Sequence, residues 1–481
     1  LRIDADLGGL ALDLPAPLAK PKDEALPAEF ELRWPKDAPA LADFSLGSLV
    51  RGEAELPAGG SAIGRAAIVF GGGAPRLPKS AGWTVDGRIA RLQLSGWRRL
   101  WRRGGGSDLS QYLKSAHLAI GEADYDGFGL REVQAELSVD ASRYRVDLTG
   151  ANAKGSVQWP TSAVRADPWT FDFDRLVVVA AAATGRTAAD QLAASDGAAQ
   201  IDPATLPAMN LNVAHLVWVG RDFGRVEAEV SPLADGLSLT RLAAVGRSFR
   251  VDARGDWRGP DGGAGHVVGD LSSSDVQSTL AALGYEKVIA AKKGRLDFDL
   301  HWNGAPTVDA FRDATGEVKI ALRNGQVYGI KPGAGRVLGL ASVAALPRRL
   351  ALDFSDLTDK GLAFDTVSGS FDLRGGNAYT NDVLLKGPAA EIGLVGRIGL
   401  RDRDYDQVAV VTGSVGNSLP IAGALAGGPV VGAAVLLFTQ VFKQPLRGLA
   451  RGYYHITGRW SDPTVVRLKS AAAAAAEEGK R

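Results

Sequence analysis

Cysteine is absent from the 481 residues, so disulfides, thiolate metal sites and a cysteine nucleophile are excluded. Absence alone does not fix the compartment. A surplus of positive charge is missing too: Lys plus Arg number 55 against 54 Asp plus Glu, which removes the global basic bias expected of a nucleic-acid binder. Helical patterns are few, whereas a doubly wound enzyme needs a helix after most strands. His117, His215, His266, His301 and His455 lie far apart without metal-ligand spacing, and each reads as a lone strand or turn residue. No Gly-x-Ser-x-Gly elbow occurs, and no serine–histidine–aspartate site assembles from local context. Gly333, Ala334, Gly335 and Gly339 carry one spacer too many for a dinucleotide fingerprint and open no βαβ unit. Neither a catalytic residue, a metal ligand nor a cofactor is expected. The chain opens LRIDADLGGLALDLP, with no initiator Met and no charged-then-apolar leader, and reads as a segment of a longer protein.

What is abundant is alternation. Leu296, Phe298, Leu300 and Trp302 share one face of a strand while Asp297, Asp299 and His301 share the other. The same period of two recurs in Val133–Asp140, Phe249–Arg254, Val318–Arg323 and Ile392–Leu400. Such strands bury one face and wet the other, which predicts an antiparallel, one-sided sheet. Residues 1–35 read as a strand, a Pro-rich connection and a second strand at Glu29–Trp34. A faint repeat of strand, turn, strand and third strand begins at Phe128, Phe223 and Ser368. Short helices are expected at Ser274–Gly284, Gly335–Ala345 and Thr187–Ala194. Gly96–Arg103, GWRRLWRR, reads as a surface helix over a sheet edge or groove mouth, ahead of an interfacial or base-stacking role.

One long apolar run stands apart. No charged residue lies between Asp406 and Lys443, and the run Leu419–Phe442 would be about 36 Å long as one helix, enough for a hydrocarbon core of about 30 Å. Gly427, Gly428 and Pro429 break its middle, so two short helices or one kinked helix are predicted. A transmembrane helix, a buried core helix and a helix capping an apolar cavity or touching a membrane surface all remain open. The run Ala471–Ala476 and the charged residues after it form a low-complexity tail.

Residues Gly335–Val343 (GRVLGLASV), Leu346–Phe354 (LPRRLALDF), Ser355–Thr366 (SDLTDKGLAFDT) and Leu419–Val435 (LPIAGALAGGPVVGAAV) resemble the AsmA-like C-terminal region of the YhdP family. Tyr454–Pro463 (YHITGRWSDP) is similar to that family's closing strand, and Gly9–Pro21 (GLALDLPAPLAKP) to a segment in its middle. The resemblance is specific over 335–463 and loose between about 36 and 290. It implies a bridge-like lipid-transfer protein of the bacterial envelope: a mainly β, elongated, curled antiparallel sheet with an apolar inner groove and few short helices, spanning the periplasm. Phospholipid acyl chains are the implied cargo. The outer membrane is implied at the C-terminal end, and the inner membrane through an N-terminal anchor outside this chain.

On that basis the chain divides into a repeating β-hairpin groove segment (1–290), an AsmA-like C-terminal region (291–468) with a helical element at 419–451, and the tail (469–481). Leu296, Phe298, Leu300, Val318, Ile320, Leu322, Ile392, Leu394 and Ile398 are the expected groove positions. Alternation alone favours an ordinary sandwich core for them, since most one-sided sheets pack on a partner. Ile421, Leu425, Val430, Val431, Leu436, Leu437, Phe438 and Phe442 are the expected membrane contacts or groove plug, followed by Lys443, Arg447 and Arg451, which could meet anionic headgroups or simply end a solvated helix. The alternative function is an envelope scaffold or assembly factor with a filled β core, touching membrane only through that helix. An enzyme is the distant third reading.

Overall fold

The computed structural model describes residues 1–36, 38–57, 64–103, 112–125, 127–162, 164–180, 202–260, 263–285, 287–328, 361–413 and 451–468. Twenty-four strands of one mixed sheet dominate them, with three short α-helices, so the protein is mainly β as its alternation predicts. The first strands are β1 (Arg2–Asp6), β2 (Pro27–Arg33), β3 (Ala40–Leu46), β4 (Val50–Leu56), β5 (Arg65–Phe70) and β6 (Gly82–Gln93). Next come β7 (Leu113–Tyr125), β8 (Phe128–Val139), β9 (Arg143–Gly150), β10 (Ala153–Pro160), β11 (Trp169–Ala180) and β12 (Met209–Trp218). They are followed by β13 (Arg221–Leu233), β14 (Gly236–Val245), β15 (Phe249–Arg258), β16 (Ala264–Ser273), β17 (Ile289–Asn303) and β18 (Thr315–Val327). The last are β19 (Leu362–Arg374), β20 (Asn377–Lys386), β21 (Ala390–Gly399), β22 (Asp404–Gly413), β23 (Arg451–Arg459) and β24 (Asp462–Leu468).

Contacts divide the chain into two compact units: Leu1–Gly197, Pro207–Gly220 and Arg225–Ser231 form the first, and Ala198–Leu206, Arg221–Gly224 and Pro232–Arg481 the second. Position 290 lies inside the second unit, at the start of β17. The three expected repeats coincide with the strand triplets β8–β10, β13–β15 and β19–β21.

Most neighbouring strands are antiparallel, but β6 runs parallel to both β5 and β7, and β12 parallel to β11. The sheet is thus mainly antiparallel, as expected, with three parallel pairings that alternation does not reveal. Parallel neighbours need a crossover rather than a hairpin. The Gly- and Pro-containing segment 71–81 carries the first crossover, and α1 (Leu94–Arg103) lies in the second. The sequence GWRRLWRR is thus a helix joining two parallel strands, tied down where Trp97 Nε1 donates to the Ala16 carbonyl at 2.9 Å.

The polar face is written in pairs two residues apart, which share a side of a strand. Arg145 meets Asp147 at 2.6 Å, Arg295 meets Asp297 at 2.7 Å and Lys319 meets Glu317 at 2.8 Å. On β15 the hydrogen-bonded Arg250 guanidinium holds the Asp252 carboxyl below the usual carboxylate range. Exposed pairs of this kind contribute about 0–1 kcal/mol each, so they keep one face wet rather than hold the sheet together. The second unit is held by the other face, in a cluster from Ile289 on β17 to Val465 on β24, where Ala409 and Ile456 are fully buried.

Helix α2 (Val276–Ala282) begins where Asp275 accepts a hydrogen bond from the Ser278 amide at 3.1 Å, an N-cap that satisfies an otherwise orphaned donor. Helix α3 (Val308–Arg312) is a single turn between β17 and β18. The expected helices at 187–194 and 335–345, and all eight expected membrane-contact residues of 419–442, lie outside the described residues. Arg451, placed by the sequence at the end of the helical element, starts β23 instead, because its backbone pairs with Thr412 of β22. Among the described residues no helix is long and apolar enough to cross a membrane.

Replacing Ile456 with Ala should cost about 2–5 kcal/mol in a urea titration, because a fully buried branched side chain leaves a cavity. Val466→Ala, one strand away but half exposed, should stay within about 0.5 kcal/mol. A second expectation concerns Tyr405, whose hydroxyl is buried without a hydrogen-bond partner and whose phenol burial pushes up. A raised phenol value stabilises the fold below the ordinary value near 10 and withdraws that support as pH climbs above it. Alkaline unfolding curves should therefore fall above about pH 10 in the wild type and be flatter in Tyr405→Phe, which should be no less stable at neutral pH.

Candidate functional site

The site is assembled by register. In the second unit cross-strand pairing links Leu239, Gly255, Val267, Leu300, Gly316, Leu373, Ala378, Ile398, Tyr405, Gly458 and Pro463 into one row across β14–β24 without a single charge. The adjacent row on the opposite face reads Ser238, Asp256, His266, His301 and Thr315 over β14–β18. The first unit repeats the arrangement. Ile3, Phe30, Phe44, Gly52, Ile68, Val85, Ala116, Leu137, Val146, Val157, Phe171 and Leu211 form an uncharged row over β1–β12. One residue along, Asp4, Glu29, Ser45, Arg51, Val69, Asp86, His117, Glu136 and Asp147 form a row that is largely charged. Each unit therefore carries an apolar track running across its strands, backed by a polar face.

Large side chains on this track are laid flat over glycines. A Cβ at Gly269 would meet the Phe298 ring at 2.8 Å, and one at Gly52 would meet the Phe44 ring at 2.1 Å. Glycine is needed there because the ring of the neighbouring strand occupies the space of a side chain. An aromatic that lies along the sheet presents its face, and projects less than one standing upright.

Exposure changes along the track. In the first unit most members are half-buried, from Phe30 and Phe44 to Phe171 and Leu211, while Ile3 is exposed and Gly52 and Ala116 are buried. In the second, Leu239, Val267 and Leu300 are half-buried, whereas Ala378, Ile398 and Tyr405 are fully buried. Between these stretches lies an apolar cavity of about 310 Å³, walled by Val276 and Leu280 of α2 and by Leu283 at its C-cap, and floored by Leu296, Val318, Ile320 and Phe371. Its volume is in the range of pockets that take apolar small molecules.

Of the nine positions expected to face a groove, Leu296, Val318, Ile320, Leu322 and Ile398 line this cavity. Phe298 and Leu300 are half-buried on the same face of β17, while Ile392 and Leu394 are fully buried on β21. Sequence reasoning did not reach α2 as a cavity wall, nor Phe371, Leu373 and Ala378 on β19 and β20. The Thr279 hydroxyl, 2.8 Å from those of both Ser248 and Ser273, anchors that helix to the sheet, and no local pattern announces the cluster.

The histidines are not solitary, contrary to expectation. His117 meets Asp86 at 2.9 Å, His455 meets Asp406 at 2.9 Å, and His266 stacks on His301 with ring centroids 4.2 Å apart. Cross-strand pairing brings together residues that sequence spacing keeps apart. Burial among apolar side chains suits the track to holding greasy matter.

No solved structure matches the chain. The intermembrane phospholipid transporter YhdP of Escherichia coli (strain K12) is 26% identical over 486 residues, an alignment that covers 97% of this chain and 37% of that protein. The chain thus spans little more than a third of that relative's length. A profile of the family described as YhdP protein matches residues 1–465, nearly the whole chain, and on that match the chain belongs to the YhdP family.

Proposed function

We propose that this chain is a stretch of a non-enzymatic intermembrane phospholipid conduit in which acyl chains travel on the uncharged track while headgroups stay in water. The uncharged cross-strand row, present in both units with a polar row directly behind it that is largely charged in the first unit, carries the reading. Belonging to the family of a phospholipid transporter supports it. Burying a methylene is worth about 0.8 kcal/mol, so two chains of about 16 carbons resist leaving an apolar surface by on the order of 25 kcal/mol. A continuous apolar track lowers that barrier by letting each methylene exchange one apolar neighbour for the next. A carboxylate in its path would either strand a charge against hydrocarbon or hold water there, costing several kcal/mol.

The same reading places the protein in the periplasm, anchored in the inner membrane through parts outside this chain and reaching the outer membrane. Leu419–Phe442 supplies the terminal apolar contact, on the strength of its uncharged composition. The rival, a scaffold with a filled core, draws on the fully buried stretch around Ile392, Leu394 and Ile398. The half-buried rows and the cavity beside α2 weigh against it.

Photo-crosslinkers at Leu296 and Ile320, in the full-length protein, should yield phospholipid adducts, and those at Asp297 and Lys319 on the opposite face should not. Adducts confined to the polar face would end the conduit reading. Ile392 and Leu394 label only if the filled stretch opens for cargo. Ile320→Asp should cut transfer of labelled phospholipid at least tenfold with the fold intact by circular dichroism. Leu436→Asp should impair transfer in cells, and unimpaired transfer would remove the terminal contact from the scheme.

A further inference from the structure

The outward face of the second unit holds a second arrangement, independent of the track. His266 on β16 and His301 on β17 are direct cross-strand partners, and their rings stack with 6° between planes. Both present Nε2 to one oxygen of Asp299, which stands two residues before His301 on the same face. The Nε2 of His266 lies 2.8 Å and that of His301 3.6 Å from Asp299 Oδ1. The three ligand atoms fall within 4.8 Å of one another. Donors around a tetrahedral zinc ion with bonds of about 2.0 Å stand roughly 3.3 Å apart, so small side-chain rotations suffice to close a shell.

We propose that His266, His301 and Asp299 bind a divalent transition-metal ion, Zn²⁺ by the character of the donors, on the polar face of β16 and β17. Two imidazoles and one carboxylate suit zinc, copper and nickel, whereas magnesium and calcium take oxygen donors. Asp299 gives the set its one negative charge. Asp256 stands opposite His266 on β15 and Glu317 opposite Asp299 on β18, adding two carboxylates next to the set. Arg258 and Lys319 contact those outer carboxylates and not the three ligands, at 3.2 and 2.8 Å. On loading, the Nε2 lone pair of each ring goes to the ion and any proton on Nε2 goes to Nδ1 or to water. The three protein ligands leave one tetrahedral position for water. The ion clips β16 to β17 from outside, behind Val267 and Leu300 on the track.

The test uses the metal-free 481-residue chain titrated with Co²⁺, followed by visible absorption, and with Zn²⁺ in competition against a chromophoric chelator. Saturable binding with the spectrum of a low-symmetry nitrogen–oxygen site is expected. His266→Ala and His301→Ala should each weaken it roughly tenfold or more, and His117→Ala, whose ring also meets carboxylates, should leave it unchanged. Excess Zn²⁺ should raise the melting temperature of the wild type and not of His301→Ala. Since these side chains lie on the surface, circular dichroism of the metal-free variants should match the wild type. Wild-type affinity in both histidine variants, or no saturable binding, overturns the proposal. Neither result bears on lipid crosslinking, so the two readings stand or fall separately.

Discussion

Everything in this protein depends on strand register. A strand turns alternate side chains to alternate faces, so slipping any strand by one residue would carry its charges onto the apolar side. Between β16 and β17, Val267 pairs with Leu300 and His266 with His301; a shift of one would set Val267 against Asp299 or His301. The same holds at β7 and β8, where Ala116 faces Leu137 and His117 faces Glu136. The apolar rows are therefore not assembled strand by strand. They exist because successive ladders agree.

Two classes of force share the labour unequally. Exposed arginine–aspartate pairs along single strands are worth little each and are screened by salt. Removal of apolar surface from water supplies the larger stabilising contribution, at about 25 cal/mol per Å². That contribution is concentrated from β19 to β23, where Val367, Leu385, Ile392, Ala409 and Ile456 are almost completely buried. The first unit's inner clusters are smaller, with Ala42, Ala54 and Ala66 in one and Ile120, Ala123, Val133 and Ala153 in another. Alanines and glycines keep a sheet face low.

The polar face has its own organisation. Carboxylates recur beside histidines at Asp86, Asp299 and Asp406, each on a strand next to or the same as the histidine's own. A face that must stay wet tolerates such clusters at little cost, and one of them reaches the density of a ligand shell. The cavity beside α2 is the counterpart on the apolar side. A capped helix, tied to the sheet through three hydroxyls, walls a space that the strands alone leave open.

The amino-acid sequence by itself determined the β class, the two-sided character of each strand and the location of most of them, because alternation at a period of two is a local property. Leu296–Trp302 and Val318–Leu322 could be assigned to one face without knowing their neighbours. It also carried the family resemblance, concentrated in the C-terminal third. The tertiary structure alone decided which strands are parallel, since that depends on where segment 71–81 and α1 lead the chain. It alone joined the single faces into rows, placed α2 over the cavity, and brought His266 against His301 from far apart in the chain. Pairing partners are set by the summed fit of whole strands, a non-local quantity that no window of sequence contains.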